Sequence, residues 1–432
     1  MAWDDKIEFM SEKEIKELQT ERLIKTVEKA YKSLFYKKKF DEVGLKPSDI
    51  KDLSDLKKIP FTTKDDLRAA YPFGMLTVDK NDIVRIHSSS GTTGKATVIA
   101  FTKKDIDTWA DYVARCLYMI GMRKGDVFQN MMSYGLFTGG LGFHYGAEKL
   151  GATVIPIGGG NTAKQIRMIL DFKTSFLHIT PSYALHVSEE IIKDGIDPKA
   201  LGLKGLIVGA EPHSEATRKK LEEIYNCPVF NSYGLSEMNG PGVGFECEYR
   251  DDPHIWEDGY IIEIVNPETG ENMPDGEEGE LVITSINREG MPILRYRTKD
   301  LTHIKKEKCK CGRNHKKIGR VVGRADDMLI VKGINVFPSQ IEDILMSIQE
   351  VGNNYQIVVD RKEDYIDTIK IRVEISKKFF HGKLSELKNI KEKIQHSIRE
   401  EIMINPEIEL LEPQALPPSE GKAKRVVDLR KI

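Results

Sequence analysis

Ser88-Ser-Ser-Gly-Thr-Thr-Gly-Lys-Ala-Thr97 is the stretch on which the reading of this chain turns. Serines, threonines and glycines at this density allow close backbone approach and supply many N–H and O–H donors. That is the environment a polyphosphate needs, and Lys95 adds a point charge. It is not a Walker P-loop, which has four residues between its glycines and Ser or Thr after its lysine. Here two residues separate Gly91 from Gly94, and Ala96 follows Lys95. The competing reading is a polar turn that merely links two strands.

Outward from this stretch, residues 82–233 alternate short β-branched runs with helical segments. Ala152-Thr-Val-Ile-Pro-Ile157 reads as a buried strand, and residues 162–170 then carry helical periodicity. Residues 175–179 form another strand candidate, followed by Thr180-Pro181, an N-cap with proline at the first helical position. Leu206-Ile-Val208 is a third, after which Ser214 caps a helix through Ile224. This alternation predicts parallel βαβ units. From 259 to 303 the texture changes. Tyr260-Ile-Ile-Glu-Ile-Val265 and Glu280-Leu-Val-Ile-Thr284 flank a turn-rich segment, which predicts antiparallel β structure. Beyond Asp326 come a helix from Ser339, strands near 355–360 and 367–375, and a charged helix from about Ser385. Upstream, Ile15, Leu18, Val27, Tyr31 and Leu34 at helical spacing predict one or two amphipathic surface helices. The expected architecture is α/β. A large N-terminal domain, 1–325, holds parallel βαβ units and a β subdomain, and a small α+β domain spans 326–432.

A length of 432 residues suits two or three domains. The charge sum, 65 − 67 = −2, offers no basic field for nucleic acid or an anionic membrane. No apolar run approaches the ~18 residues that span a bilayer. The acidic residues 1–5 do not resemble a secretory signal. Five cysteines in a chain this long make no disulfide framework. A soluble, cytoplasmic enzyme is the expectation.

Residues 88–97 resemble the phosphate-binding loop of the adenylate-forming superfamily of acyl-CoA synthetases, and further matches follow in order. Tyr233-Gly-Leu-Ser-Glu237 resembles its Tyr-Gly-x-Thr-Glu motif, with Ser236 in place of the commoner threonine. Gly209-Ala-Glu-Pro212 is similar to the adenine-side loop, and Arg295-Tyr-Arg-Thr-Lys-Asp300 to the segment whose Asp binds ribose. Gly323-Arg-Ala-Asp-Asp-Met-Leu-Ile-Val-Lys-Gly333 resembles the hinge motif, and Gly421-Lys-Ala-Lys-Arg425 the C-terminal lysine motif. The short length, residues 134–148 and Asn335-Val-Phe-Pro-Ser-Gln-Ile-Glu342 point to the phenylacetate–CoA ligase group.

The resemblance implies a nucleotide site made of Ser88, Ser89, Ser90, Gly91, Thr92, Thr93, Gly94, Lys95, Gly209, Ala210, Glu211, Pro212, Asn231, Ser232, Tyr233, Gly234, Ser236, Asp300 and Arg324. Glu237 would bind Mg²⁺, a hard cation suited to oxygen ligands. Asp300 and Arg324 would hold the ribose hydroxyls as acceptor and donor. Glu211, Pro212 and Tyr233 would frame the adenine. Taken singly, each of these residues reads equally as surface charge, ion pair or core filling. Lys422 would bridge the acyl carboxylate and the α-phosphate; Lys424 is its nearest competitor, and the Gly-Lys-x-x-Arg spacing favours Lys422. Asp326 is the hinge position. Tyr134, Phe137, Gly139 and Gly140 would line the acyl pocket, although a helix packed closely through its glycines explains the same series.

Cys309-Lys-Cys311 sits in a lysine-rich turn, where a buried structural thiol would be out of place, and Cys247 precedes His254 by seven positions. Three thiolates and one imidazole suit a tetrahedral structural zinc site, with His315 as an alternative fourth ligand. The competing reading is a set of reduced, solvent-facing cysteines. Cys116 and Cys227 read as core thiols.

The resemblance implies that the chain activates an aryl carboxylic acid, phenylacetate first, with ATP and Mg²⁺, then transfers the acyl group to coenzyme A. One rival in the same branch transfers AMP to a deazaflavin cofactor, and another is a non-catalytic nucleotide-binding protein. The expected partners are the acid, ATP and CoA, without nucleic acid or membrane, and a second copy of the chain in a homodimer.

Overall fold

The computed structural model describes residues 2–88, 96–331, 334–361, 367–380, 383–417 and 423–430. The chain divides into two compact units, Met1–Gly158 with Phe230–Arg320, and Gly159–Val229 with Val321–Ile432. The second unit therefore begins five residues before the expected boundary and takes in residues 159–229 as well.

In the first unit, Ser11 opens the helix Glu12–Ala30 with a capping box closed by Glu14. Ile15, Gln19, Leu23 and Val27 recur every four residues along one buried stripe. Leu23 and Val27 join Tyr36, Phe40, Ile261, Ile286 and Leu294 in one apolar cluster. Strands Val127–Asn130 and Thr153–Ile155 pair in parallel, connected by the helix Thr138–Leu150. That helix lies against Lys103–Met119 with almost no gap. A Cβ on Gly146 would meet Val113 at 2.5 Å, and one on Gly142 would strike Trp109 and lie 2.7 Å from Pro241. Tyr260–Val265, Gly279–Ser285 and Tyr296–Thr302 form the expected antiparallel ladder.

One strand is shorter and wetter than its sequence suggests. Of residues 152–157 only 153–155 are extended, with Thr153 exposed and Val154 and Ile155 half-buried. This strand lies at the edge of its sheet, and Pro156 has no N–H to continue the ladder.

In the second unit Phe176–Ile179 and Gly205–Gly209 pair in parallel around the helix Pro181–Lys193. Thr180 caps that helix with Pro181 at its first position, and Ser214 caps Glu215–Tyr225. The C-terminal part carries a four-stranded sheet in the order Glu407–Leu411, Asp367–Ile375, Val351–Arg361, Val426–Asp428. The helix Leu384–Ile402 lays Ile390, Ile394, Ile398 and Ile402 at four-residue spacing over Ile357, Ile371 and Val373. Pro338–Ser347 packs in the same core. Its Glu342 accepts from the Ser214 backbone N–H (3.2 Å), the Thr217 hydroxyl (2.8 Å) and the Tyr355 hydroxyl (2.8 Å). Among the described residues no helix is long and apolar enough to cross a membrane.

Candidate active site

Residues 89–95 of the polar loop, Lys332, Gly333 and Lys422 lie outside the described residues. Ser88, the first loop residue, ends the strand Ile83–Ser88, and its N–H donates to the Leu136 carbonyl at 3.1 Å. The buried His87 directs Nδ1 at the same carbonyl, 3.0 Å away. Ser88 thus lies beside Leu136, within the expected acyl-pocket turn at 134–138.

Within that turn, Tyr134 Oη lies 3.0 Å from Asn130 Nδ2, which donates to it, and 3.3 Å from His144 Nδ1. Phe137 is 43% exposed at the start of the helix Thr138–Leu150. A Cβ on Gly139 would meet the Phe137 ring at 2.5 Å, and one on Gly140 the Ser133 carbonyl at 2.6 Å. These glycines serve close packing, and Phe137 is the ring left at the surface of the turn.

Thr138 Oγ1 lies 3.1 Å from Ser236 Oγ and so ties the turn to the 233–237 motif. Tyr233 and Gly234 end the strand Val229–Leu235, which pairs antiparallel with Gly240–Phe245. Asn231 donates its backbone N–H to Glu246 at 2.7 Å, and Ser232 pairs with Phe245. A Cβ on Gly234 would lie 2.6 Å from the Gly240 carbonyl carbon, so only glycine fits there. The Tyr233 hydroxyl donates to Asp300 Oδ2 at 2.6 Å, joining two motifs 67 residues apart. A hydrogen bond to a carboxylate of that length is charge-assisted. Glu237 follows on a single turn of 3₁₀ helix, Ser236–Met238. Its main-chain carbonyl accepts from Arg288 Nη1 at 2.8 Å.

Sequence reasoning missed Thr138, His87 and Arg288. Arg288 is buried and stacks over the Phe101 ring at 4.8 Å. Nothing in Asn287-Arg288-Glu289 distinguishes it from a surface arginine.

In the second unit, Gly209 ends a buried strand and Ala210 then takes a left-handed φ of 67°. Glu211 follows, with Pro212 exposed beyond it. Burial raises the Glu211 pKa above the ordinary carboxylate range. Its oxygens accept from the Ser182 N–H at 2.7 Å and the Ala423 N–H at 2.8 Å. Arg324 forks onto Asp326, the expected hinge position, through Nε (2.9 Å) and Nη2 (3.0 Å).

The cysteine reading resolves in the first unit. Ligand atoms of Cys247, His254, Cys309 and Cys311 all lie within 4.8 Å of one another. Cys247 Sγ is 3.5 Å from Cys309 Sγ, and Cys311 Sγ is 3.4 Å from His254 Nε2. Ligand lengths near 2.3 Å for sulfur and 2.0–2.1 Å for nitrogen place tetrahedral neighbours about 3.8 Å and about 3.5 Å apart. His254 Nδ1 faces the His315 carbonyl at 3.2 Å, which leaves Nε2 for a metal. His315 itself is committed elsewhere, with Nε2 3.0 Å from the Ile7 carbonyl and Nδ1 accepting from Glu257 N–H. Cys247 and Cys309 are buried, so the set is not solvent-facing. Cys116 and Cys227 are buried apart from this cluster, as core thiols. A cavity of about 1200 Å³ lies on the side of the cysteine cluster, lined by Cys309, Arg313, His315, Lys16 and Glu257, with none of the described nucleotide-site candidates among its lining residues.

Two family models match the chain: AMP-binding enzyme over residues 13–288, and AMP-binding enzyme C-terminal domain over 333–430. The chain is 44% identical to the phenylacetate-coenzyme A ligase of Thermus thermophilus, with all of both chains covered. It is 43% identical to that of Escherichia coli K12, covering 99% of this chain and 98% of the other. A 2-hydroxyisobutyryl-CoA ligase crystallised with 2-HIB-AMP superposes with a TM-score of 0.94 at 28% identity, covering 99% of this chain and 92% of that one. The chain belongs to the phenylacetate–CoA ligase family of AMP-binding, adenylate-forming enzymes.

Proposed function

We propose that this chain joins an aryl carboxylic acid, phenylacetate first, to coenzyme A in two steps. The acid's carboxylate attacks the α-phosphate of ATP, forming an acyl-adenylate as the bond to pyrophosphate breaks. The CoA thiol then attacks the acyl carbon, forming the thioester as AMP departs with the bonding pair. The observation that carries the reading is the Tyr233–Asp300 hydrogen bond at 2.6 Å, which brings two of the nucleotide motifs onto one surface.

A carboxylate beside a triphosphate is repelled, so the site must neutralise charge and align the reactants. Ser88 to Lys95 supply donors and a cation for the phosphates, and Lys422 would draw carboxylate and α-phosphate together. Asp300 would accept from the ribose hydroxyls, with Tyr233 fixing its orientation. Glu237, on a turn held by Arg288, offers the hard oxygen ligand that Mg²⁺ prefers. When bound, Mg²⁺ supplies charge neutralisation at the phosphates. Tyr134 and Phe137 suit an aromatic acid, with Gly139 and Gly140 bringing the backbone close. Residues 326–432 would act as a lid turning at Asp326, because one lid must serve two half-reactions.

The Cys247–His254–Cys309–Cys311 set fits a structural zinc ion. Four protein ligands leave no position open for chemistry.

Acid-dependent ATP–pyrophosphate exchange tests the reading. Phenylacetate should give the highest exchange among aryl and alkyl acids. Absence of exchange with every acid would favour the non-catalytic reading.

A further inference from the structure

We propose that Glu211, counted above with the adenine-side loop, is also the residue that positions the catalytic lysine motif for adenylation. The inference rests on the acyl-adenylating role of Lys422 and adds a residue to it.

The two oxygens of this carboxylate have different jobs. Oε1 accepts from the N–H of Ser182, the second residue of the helix Pro181–Lys193. A carboxylate there accepts from the first turn of a helix and faces the positive end of its dipole, which fixes the carboxylate's direction. Oε2 accepts from the N–H of Ala423, the residue directly after Lys422. The bond joins positions 212 residues apart. Glu211 thus converts a helix terminus into an acceptor for the lysine motif.

The backbone is shaped for this. Ala210 is left-handed although it carries a Cβ, a conformation that L side chains rarely adopt. Such strain directly before Glu211 is retained where the surrounding structure dictates the turn. On the other side, the motif is held at its far end. The Arg425 carbonyl accepts from Ile357 N–H at 2.7 Å, and its guanidinium stacks over Tyr355 at 4.5 Å. Val426 then pairs in parallel with Ile357. Strand pairing fixes residue 425 and beyond, and Glu211 fixes residue 423. The described part of the motif is therefore pinned at residues 423 and 425, directly after Lys422.

Thioester formation does not need Lys422 at the α-phosphate, so a device that places it should matter to one half-reaction only. A hydrogen bond to a charged group is worth about 1.5–3 kcal/mol, which corresponds to a change of roughly 10- to 150-fold. Adenine contacts behave differently, since ATP and acyl-adenylate share the base and would lose affinity together.

The test measures both half-reactions on the full chain: ATP–pyrophosphate exchange with phenylacetate, and thioester formation from supplied phenylacetyl-adenylate plus CoA. Glu211→Ala should lower the ratio of exchange to thioester formation at least about tenfold. Ala423→Pro deletes the N–H without touching Glu211 or any adenine contact, and should lower the same ratio. Glu211→Gln leaves one carbonyl for two donors, so its ratio should fall between wild type and Glu211→Ala. Equal loss of both steps in Glu211→Ala, with Ala423→Pro at the wild-type ratio, would reduce Glu211 to an adenine contact and overturn the proposal. Lys422→Ala, run alongside, separates the two layers. If it loses exchange while Glu211→Ala and Ala423→Pro keep the wild-type ratio, the positioning role fails and the lysine role stands. If Lys422→Ala itself keeps exchange, the lysine role fails and the positioning proposal falls with it.

Discussion

Tyr233 illustrates how far single residues could be read. Its motif was legible, but not its hydroxyl bond to Asp300. That contact depends on two strands meeting across 67 residues. Tyr233→Phe removes the bond and keeps the ring. The KM for ATP should rise about tenfold with fold and stability close to wild type, as steady-state kinetics and thermal melts would report. An unchanged KM would mean that Asp300 does not need orienting. The Cys/His cluster was legible as a quartet because three thiols and a histidine recur near two ladder segments. The choice between His254 and His315 was not, since each follows one of the cysteines at short spacing. Pairing decides it: His254 stands opposite Phe245, with Nε2 towards Cys311, whereas His315 reaches back to Ile7. The purified protein should carry about one zinc per chain. Zinc should be lost in Cys247→Ser, Cys309→Ser and His254→Ala and retained in His315→Ala, by elemental analysis after preparation without chelator. The zinc-free variants should melt several degrees lower, because the ion ties together ladders 62 residues apart. A metal-free wild type would make the cluster a group of buried thiols.

Elements were the most readable level. The caps Thr180 and Ser214, the proline after Thr180 and the four-residue isoleucine stripe of Leu384–Ile402 all sit where local propensity puts them. The exception, the strand at 153–155, fails because an edge has no second neighbour to bury it. The glycine series was ambiguous by nature: glycine permits both ligand access and tight packing, and only a partner's position tells them apart. At Gly142 the partner is Trp109, whose indole donates to the Pro241 carbonyl (2.8 Å) and stacks on Phe101. It cannot swing aside. Gly142→Ala should therefore cost about 1–3 kcal/mol in denaturant unfolding. A neutral result would show that the two helices can part. A pH effect belongs to the strand Phe176–Ile179, where burial pushes the His178 pKa down from 6.5 to about 3. The unfolded chain binds the proton that the folded chain refuses, so stability should fall as pH drops from about 6.5 towards 3. The slope from this group is about 1.4 kcal/mol per pH unit, absent in His178→Gln. An equal slope in both proteins would assign the acid sensitivity elsewhere.

At the scale of the whole molecule, the order of motifs along the chain was enough to identify the family, and the grouping of its parts was not. Residues 159–229 and 321–432 form one compact unit through contacts such as Glu342 with Thr217, 125 residues apart, and no local pattern encodes these. The same long separations hide the partnership of Glu211 with Ala423. Carboxylate activation followed by thiol capture is the chemistry of the family, and the roles proposed for the 88–95 loop, Asp300, the turn at 134–138 and Lys422 are the ones it requires. Incubation with ATP, Mg²⁺, phenylacetate and CoA, with products separated by mass, tests that claim most directly. Phenylacetyl-CoA, AMP and pyrophosphate should appear in equal amounts. Formation of AMP joined to another acceptor such as a deazaflavin, with no thioester, would contradict it.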